Sequence, residues 1–243
     1  MKLTFVLVHG SMHDGSCWDG VITELNRQGH VAYAPTLAGH GEEAGNFFTR
    51  TDCVESVVDY ILERDIRDFI LAGHSFAGIV IPGVAEQVSD RINRVVFQNA
   101  MVMEDGEAIY DVIPPVHQQM FDAVIKRDGE RANWILPFDV FRERFINDAD
   151  LETAKKVYAR LRPICAYSQK EKIPMRGFQR LQVPRSYINF TDDIVLPHGE
   201  YAWYPRMADR LGLCRVVQKP GSHEVCYTNP ELLAEALVEA GRP

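Results

Sequence analysis

The chain has 243 residues, of which 46% are hydrophobic and 25% are charged, and both fractions are ordinary for a globular protein. These values exclude a disordered or fibrous chain, and the length suits one α/β domain with an insertion. The net charge of −8 argues against nucleic acid or an anionic membrane surface as a partner.

Short apolar runs alternate with helical patterns along the chain. Continuous apolarity is typical of strands that are covered on both faces of a parallel sheet. The predicted strands are 4–8, 31–34, 69–72, 94–98, 186–190 and 215–218, and the predicted helices are 18–28, 52–64, 77–87, 201–211 and 230–240. This alternation predicts an α/β fold with a mostly parallel, six-stranded sheet flanked by helices. Pro82 falls inside the third predicted helix, where it should kink or shorten that helix.

The stretch 103–181 interrupts the alternation. It holds no convincing strand and is rich in aromatic residues, and Phe138, Phe141 and Phe145 fall at helical spacing. We therefore predict a helical lid at 103–181, inserted after the fourth strand, while 1–102 and 182–243 form the core. The basic stretch 170–180 within the lid is predicted to be a solvated face.

The cysteines and the apolar windows bear on location and partners. Five scattered cysteines without a CxxC pair favour reduced thiols and a cytoplasmic location, and they show no zinc spacing. The uncharged window 69–85 is interrupted by Gly73 and Pro82 and is shorter than the roughly 20 apolar residues of a membrane span. We expect no membrane partner and no metal site, and the sequence leaves a homodimer open.

A strand–turn–helix segment carries the sharpest chemical signal. It reads Leu71-Ala72-Gly73-His74-Ser75-Phe76-Ala77-Gly78, between a predicted strand and a predicted helix. A small-x-Ser-x-small turn in this context is typical of a nucleophile elbow, which holds the serine in a strained backbone conformation. Ala77 stands where the usual motif has glycine. The segment predicts Ser75 as a nucleophile, and it also explains the uncharged window.

A serine hydroxyl is a weak nucleophile, so it needs a base and an acid that orients the base. His223, in a loop after the last predicted strand, is the candidate base. Asp192 and Asp193 both follow the fifth predicted strand; Asp193 is preferred from its spacing to Pro197, and Asp192 is the alternative. The other histidines are less well placed: His9 at a strand end, His74 within the elbow, and His30, His40, His117 and His198 at the surface or in turns.

The end of the first strand predicts an oxyanion hole. The segment His9-Gly10-Ser11-Met12 follows that strand, so the N–H of Ser11 is expected to face the N–H of Phe76. The order Ser75, Asp193, His223 is the chain order of an α/β-hydrolase triad, and each residue comes just after a predicted strand.

Four segments together resemble the α/β-hydrolase group of plant methylesterases and hydroxynitrile lyases, with their bacterial esterase relatives. They are the opening from Phe5 to Trp18, the elbow Gly73-His74-Ser75, the lid stretch Leu161-Arg162-Pro163, and Gly221-Ser222-His223 followed by Thr228-Asn229-Pro230-Glu231. The resemblance covers nearly the whole chain. It implies the triad Ser75, Asp193 and His223, the oxyanion donors Ser11 and Phe76, a small-molecule ester substrate and no cofactor.

Two positions distinguish the lyases of this group from its esterases. One lyase type has threonine in place of Gly10 and lysine in place of Glu224, and another has asparagine in place of Gly10. The residues found here, Gly10 and Glu224, favour ester hydrolysis. The aromatic residues of the predicted lid suggest a small to medium apolar or aromatic substrate. A lyase, lactonase, C–C hydrolase or cofactor-independent dioxygenase on the same scaffold stays an alternative. A non-catalytic small-molecule receptor is a further alternative.

Overall fold

The computed structural model describes residues 1–129 and 131–243. Its strands are β1 (Thr4–Val8), β2 (Val31–Tyr33), β3 (Phe69–His74), β4 (Ile92–Gln98), β5 (Asn133–Trp134), β6 (Ile164–Cys165), β7 (Arg185–Phe190) and β8 (Arg215–Lys219). Six of them form one sheet in the order β2-β1-β3-β4-β7-β8, and every neighbouring pair in it is parallel. The predicted α/β fold with a mostly parallel sheet is therefore confirmed.

The described helices lie between and around these strands. The α-helices are α1 (Asp19–Arg27), α2 (Arg50–Glu63), α3 (Ile81–Gln87), α4 (Ile109–Val112), α5 (Pro115–Asp128), α6 (Phe138–Val140), α7 (Leu151–Tyr158), α8 (Arg176–Arg180), α9 (Arg206–Asp209), α10 (Val225–Thr228) and α11 (Pro230–Gly241). Short 3₁₀ helices cover Gly15–Trp18, Gly41–Glu43, Ser75–Ile79, Ser89–Arg91 and Ala166–Gln169, and a π-helical turn covers Phe141–Phe145.

Both faces of the sheet are buried, which is why its strands are apolar without alternation. Phe5 and Leu7 pack with α1 and α11 on one face. Val6 and Val8 point to the other face, where they join the core that α2 and α3 cover. Burial on both faces favours the continuous apolar runs from which the strands were predicted.

Two predicted elements differ in the structure. The predicted helix 201–211 shrinks to α9, because Pro205 has no N–H and its ring obstructs a preceding helical turn. The stretch 103–181 was expected to lack strands, yet β5 and β6 pair there as a short antiparallel ladder. Two residues per strand are too few for a periodic pattern to show in the sequence.

The prediction of a solvated face at 170–180 is confirmed for its basic residues but wrong for its apolar residues. Lys172, Arg176 and Arg180 are exposed, whereas Ile173, Met175 and Phe178 belong to the main core. The apolar residues therefore anchor this stretch while its charges face water.

Pro82 lies near the start of a helix that is shorter than the predicted 77–87, as one of the two expectations had it, and it does not kink that helix. The elbow continues into the 3₁₀ helix Ser75–Ile79, and the α-helix begins only at Ile81. Pro82 thus lies in the first turn of α3, where its missing N–H costs no hydrogen bond. Within the described part of the chain, no helix is long and apolar enough to cross a bilayer.

Candidate active site

Ser75 lies at the end of β3 in a left-handed backbone conformation, with φ of 55°. Such a conformation is costly for a non-glycine residue and persists only where the surroundings impose it. A Cβ on Gly78 would lie 2.0 Å from the carbonyl oxygen of Met101, so the tightest approach in this turn falls at residue 78. This explains why Ala77 is accommodated where glycine is usual.

Three predicted side chains meet at this turn. The Ser75 hydroxyl lies 2.9 Å from Nε2 of His223, and Nδ1 of His223 lies 2.6 Å from Oδ2 of Asp193. The other carboxylate oxygen of Asp193 accepts the N–H of Val195 at 3.0 Å. A carboxylate at Nδ1 holds the ring proton there and leaves Nε2 free to accept the serine proton.

Asp192 lies outside this chain of hydrogen bonds. Its side chain is exposed, and it accepts the N–H of Gly221 at 2.9 Å. Asp193 is only 3% exposed, and its carboxylate contacts His223. Asp192 thus ties its loop to the loop that carries His223, while Asp193 contacts the imidazole itself.

His223 is 1% exposed and sits among aromatic rings. Burial lowers its pKa, but the charge of Asp193, the hydrogen bond to Asp193 and the charge of Glu224 outweigh burial, so the pKa lies above the ordinary 6.5. The Trp203 ring stacks on the imidazole at 5.6 Å and 17°, and Phe145 packs edge-on at 5.2 Å. These rings keep water from the imidazole.

Ser11 and Phe76, whose backbone amides are the predicted oxyanion donors, line the same cavity as Ser75. The N–H of Phe76 lies in the first turn of the 3₁₀ helix Ser75–Ile79, where an N–H has no partner within the helix. The N–H of Ser11 makes no backbone hydrogen bond with a described residue. Both donors are therefore free to face an oxygen held next to the Ser75 hydroxyl.

The cavity encloses about 800 Å³ of space, part of it open to solvent. Its wall is mainly apolar and comes from the elbow, the segment after β1, the segment between β4 and β7 and the segment between β7 and β8. The segment between β4 and β7 supplies Ile109, Ile113, Phe121 and Trp134, among others. A large apolar cavity with few polar groups is typical of a small-molecule site.

Two other histidines near the elbow, His9 and His40, are buried and make structural contacts. His9 is fully buried, contacts the carbonyl of Gly10 at 2.8 Å and accepts the N–H of Leu37 at 3.0 Å. His40 lies in a turn, one of the two positions expected for it, but it is only 2% exposed and so does not lie at the surface. It packs between His9 and Phe48, with ring centroids 5.1 and 4.8 Å away, and burial lowers its pKa to about 4.

Within the described part of the chain, neither His117 nor His198 takes part in the hydrogen bonds that join Ser75, His223 and Asp193. His117 is half-buried on the cavity wall, whereas His198 is exposed.

Sequence reasoning missed several residues around His223. Trp203 gave no local signal, because it becomes significant only when the chain folds back onto the imidazole. Glu224 was noted only for its difference from the lyases, yet it forms a buried pair with His13 at 3.1 Å. The two residues are 211 positions apart, so no short motif links them.

These features define an α/β hydrolase. The model of the Alpha/beta hydrolase family matches residues 5–236, and the chain belongs to that family.

Three relatives match nearly the whole chain. The solved structure of an extracellular alpha/beta-hydrolase from a Paenibacillus species is 40% identical, has a TM-score of 0.95 and covers 99% of this chain and 100% of that one. It is described as sharing structural and functional homology with tobacco Salicylic Acid Binding Protein 2. A carbendazim hydrolyzing esterase from Nocardioides sp. (strain SG-4G) is 35% identical, with 98% of this chain and 99% of that protein covered. Methylesterase 4 of Arabidopsis thaliana is 27% identical, with 98% and 96% covered. The predicted resemblance to the plant methylesterase group is confirmed.

Proposed function

We propose that this protein hydrolyses carboxylic esters through an acyl-enzyme on Ser75. Ester hydrolysis is named for the Nocardioides esterase and the Arabidopsis methylesterase among its relatives. The observation that carries the finer proposal is the continuous chain of hydrogen bonds from Ser75 through His223 to Asp193, at 2.9 and 2.6 Å. Such a chain makes a serine hydroxyl nucleophilic.

The reaction has two halves. In the first half, the Ser75 hydroxyl attacks the ester carbonyl while His223 accepts its proton, and the N–H groups of Ser11 and Phe76 stabilise the oxyanion. The intermediate then collapses, His223 protonates the leaving alcohol, and an acyl-serine remains. In the second half, His223 takes a proton from water while the water oxygen attacks the acyl group. The bond between the acyl carbon and Oγ of Ser75 then breaks, His223 returns its proton to Oγ, and the carboxylic acid leaves. Asp193 orients His223 and stabilises its protonated form in both halves.

The proposed substrates are esters with a small to medium apolar or aromatic group. The mainly apolar cavity supports this class, since it offers aromatic side chains such as Phe121 and Trp134. We propose that 103–181 forms the lid over the core, because this stretch supplies much of the cavity wall. The cytoplasmic location is likewise a proposal, supported by five free thiols, although the Paenibacillus relative is described as extracellular.

The direct test is turnover of a p-nitrophenyl ester by the purified protein and by Ser75→Ala. We expect the wild type to release p-nitrophenol and a fluorophosphonate to label Ser75, and we expect the alanine variant to lose both. An alanine variant with full rate would refute the nucleophile assignment. Oxygen uptake that survives the substitution would instead support a dioxygenase, and a wild type without turnover or labelling would support a receptor.

A further inference from the structure

A second buried carboxylate lies directly after the proposed catalytic histidine. Glu224 is 2% exposed, and one of its oxygens lies 3.1 Å from Nε2 of His13, which is 5% exposed. The hydroxyl of Tyr227 lies 3.3 Å from the other nitrogen of that ring. A buried carboxylate needs such partners, because removing its charge from water is otherwise costly.

The partner, His13, belongs to the segment that carries an oxyanion donor. It lies two residues after Ser11, and the intervening Met12 has a left-handed φ of 66°. The carbonyl of Met12 accepts the N–H of Arg162 at 2.9 Å. The pair Glu224–His13 therefore joins the Ser11 segment to the His223 loop, and Arg162 holds the same segment from the lid side.

The backbone at position 224 also holds one of the aromatic rings that cover the imidazole. Its N–H donates to the carbonyl of Phe145 at 3.0 Å, and the Phe145 ring packs on His223. With His13, His74, Ser75 and His223, Glu224 lines a small cavity beside the elbow.

We propose that Glu224 and His13 are positioning residues: the pair holds the Ser11 N–H in place, and the carboxylate supports the protonated His223 as a second negative charge beside Asp193. This inference rests on the proposed ester hydrolysis. The titratable groups that face Glu224 or His223 come from several elements: His13, Cys17, His74, Asp193, Cys226 and Tyr227.

The charge of the carboxylate is consistent with this role. Burial raises the pKa of Glu224, but the charge and hydrogen bond of His13, followed by the charges of His74 and His223, outweigh burial and bring the pKa to about 2. Glu224 is then ionised throughout the range in which an esterase works. Glu224 and His223 line the same small cavity, so the negative charge of the carboxylate stabilises the imidazolium that forms at His223 in each half-reaction.

The variant that isolates the charge is Glu224→Gln, which keeps the shape and an oxygen for His13. Without the carboxylate, the protonated His223 is less stable, so its pKa falls. We expect the acid limb of kcat/KM to move down by about one pH unit and the plateau to fall about tenfold, with KM nearly unchanged. The matched control is Glu231→Gln, which removes an equal charge from an exposed ion pair with Arg27 and should leave the profile unchanged.

The second variant, His13→Asn, loosens the tether but keeps the Glu224 carboxylate, to which the asparagine amide can still donate a hydrogen bond in place of the imidazole. We expect its plateau kcat/KM to fall about 10- to 100-fold as the Ser11 N–H loses its position, with no downward move of the acid limb. Fluorophosphonate titration counts the active sites in each variant, and thermal unfolding measures its stability. The rates can then be compared per correctly folded molecule.

Two results overturn the inference. One is Glu224→Gln with an unshifted acid limb and wild-type turnover per labelled site. The other is a lower unfolding temperature in both variants together with wild-type turnover per labelled active site. Failure of the proposed function is distinguishable, because it would appear as absent turnover in the wild-type protein itself.

Discussion

At the scale of single residues, Asp192 and Asp193 are neighbours with different environments. Asp193 is buried and contacts the imidazole of His223, whereas Asp192 is exposed and contacts the backbone of Gly221. The buried carboxylate of Asp193 can hold the tautomer of the His223 ring and stabilise the positive charge of the protonated ring. The carboxylate of Asp192 cannot, because water screens its charge.

Replacing each aspartate by asparagine separates these roles. Asp193→Asn leaves an amide that can present an N–H to Nδ1 and so favour the wrong tautomer, and we expect kcat to fall about 10³- to 10⁴-fold. Asp192→Asn should change kcat by less than about tenfold, since Asp192 only supports the loop. Steady-state kinetics on a p-nitrophenyl ester measures both. Equal losses in the two variants would contradict the assignment of Asp193.

The pH profile reports the pKa of His223. In the proposed mechanism His223 must be neutral to accept the Ser75 proton, so we expect kcat/KM to fall as the pH drops through this pKa. Because Asp193 and Glu224 raise the pKa against burial, we expect the midpoint of the acid limb above 6.5 in the wild-type protein. A pH series of kcat/KM from pH 5 to 9 measures it. A midpoint well below 6.5 would show that burial outweighs the two carboxylates.

At the scale of elements, the turn from β3 into the 3₁₀ helix Ser75–Ile79 depends on close backbone approach. A Cβ on Gly78 would collide with the backbone of Met101, which cannot move without shifting the chain. A Cβ on Gly73 would meet side-chain atoms of Ile81 at 2.9 Å, and these can adjust. The two glycines therefore differ in how much they tolerate a methyl group.

Alanine at each glycine tests this difference. We expect Gly78→Ala to lower the free energy of unfolding by about 3 kcal/mol and Gly73→Ala by about 1 kcal/mol, because overpacking against backbone relaxes less. Denaturant unfolding followed by tryptophan fluorescence measures both changes. A Gly78→Ala variant as stable as the wild type would contradict the close approach.

At the scale of the whole molecule, several buried histidines couple folding to pH. Burial lowers the pKa of His9 and His74 well below 6.5 and that of His40 to about 4. In the unfolded chain these rings protonate near 6.5, so the unfolded state binds more protons as the pH falls from 6.5 towards 4. His223 acts in the opposite sense, because its raised pKa adds stability that is lost as the pH rises through that value.

We therefore expect the free energy of unfolding to fall as the pH drops from 6.5 to 4. His40 alone accounts for about 3 kcal/mol of this loss if its pKa moves from 6.5 to about 4. We expect His40→Gln to reduce the loss of unfolding free energy between pH 6.5 and 4 by about 3 kcal/mol. We expect no such reduction for His198→Gln, which changes an exposed position. Urea unfolding at a series of pH values measures the slopes. Equal slopes for wild type and His40→Gln would contradict the role of His40.

Several features could be predicted from the sequence because they depend on neighbouring residues. The strands were predictable because both faces of the sheet are buried, and the elbow because a strand, a small-residue turn and a helix follow one another around Ser75. Pro205 shows the limit of this reasoning, since one residue shortened an otherwise helical pattern.

The sequence by itself determined the α/β class, the order of the sheet strands along the chain and the candidates Ser75, Asp193 and His223, because local apolar runs and short motifs encode them. Only the tertiary structure decided which aspartate faces His223, that Glu224 pairs with His13, and that Trp203 covers the imidazole. Those relations depend on side-chain direction and on contacts between segments distant in the chain, and both arise when the sheet, its helices and its loops pack together.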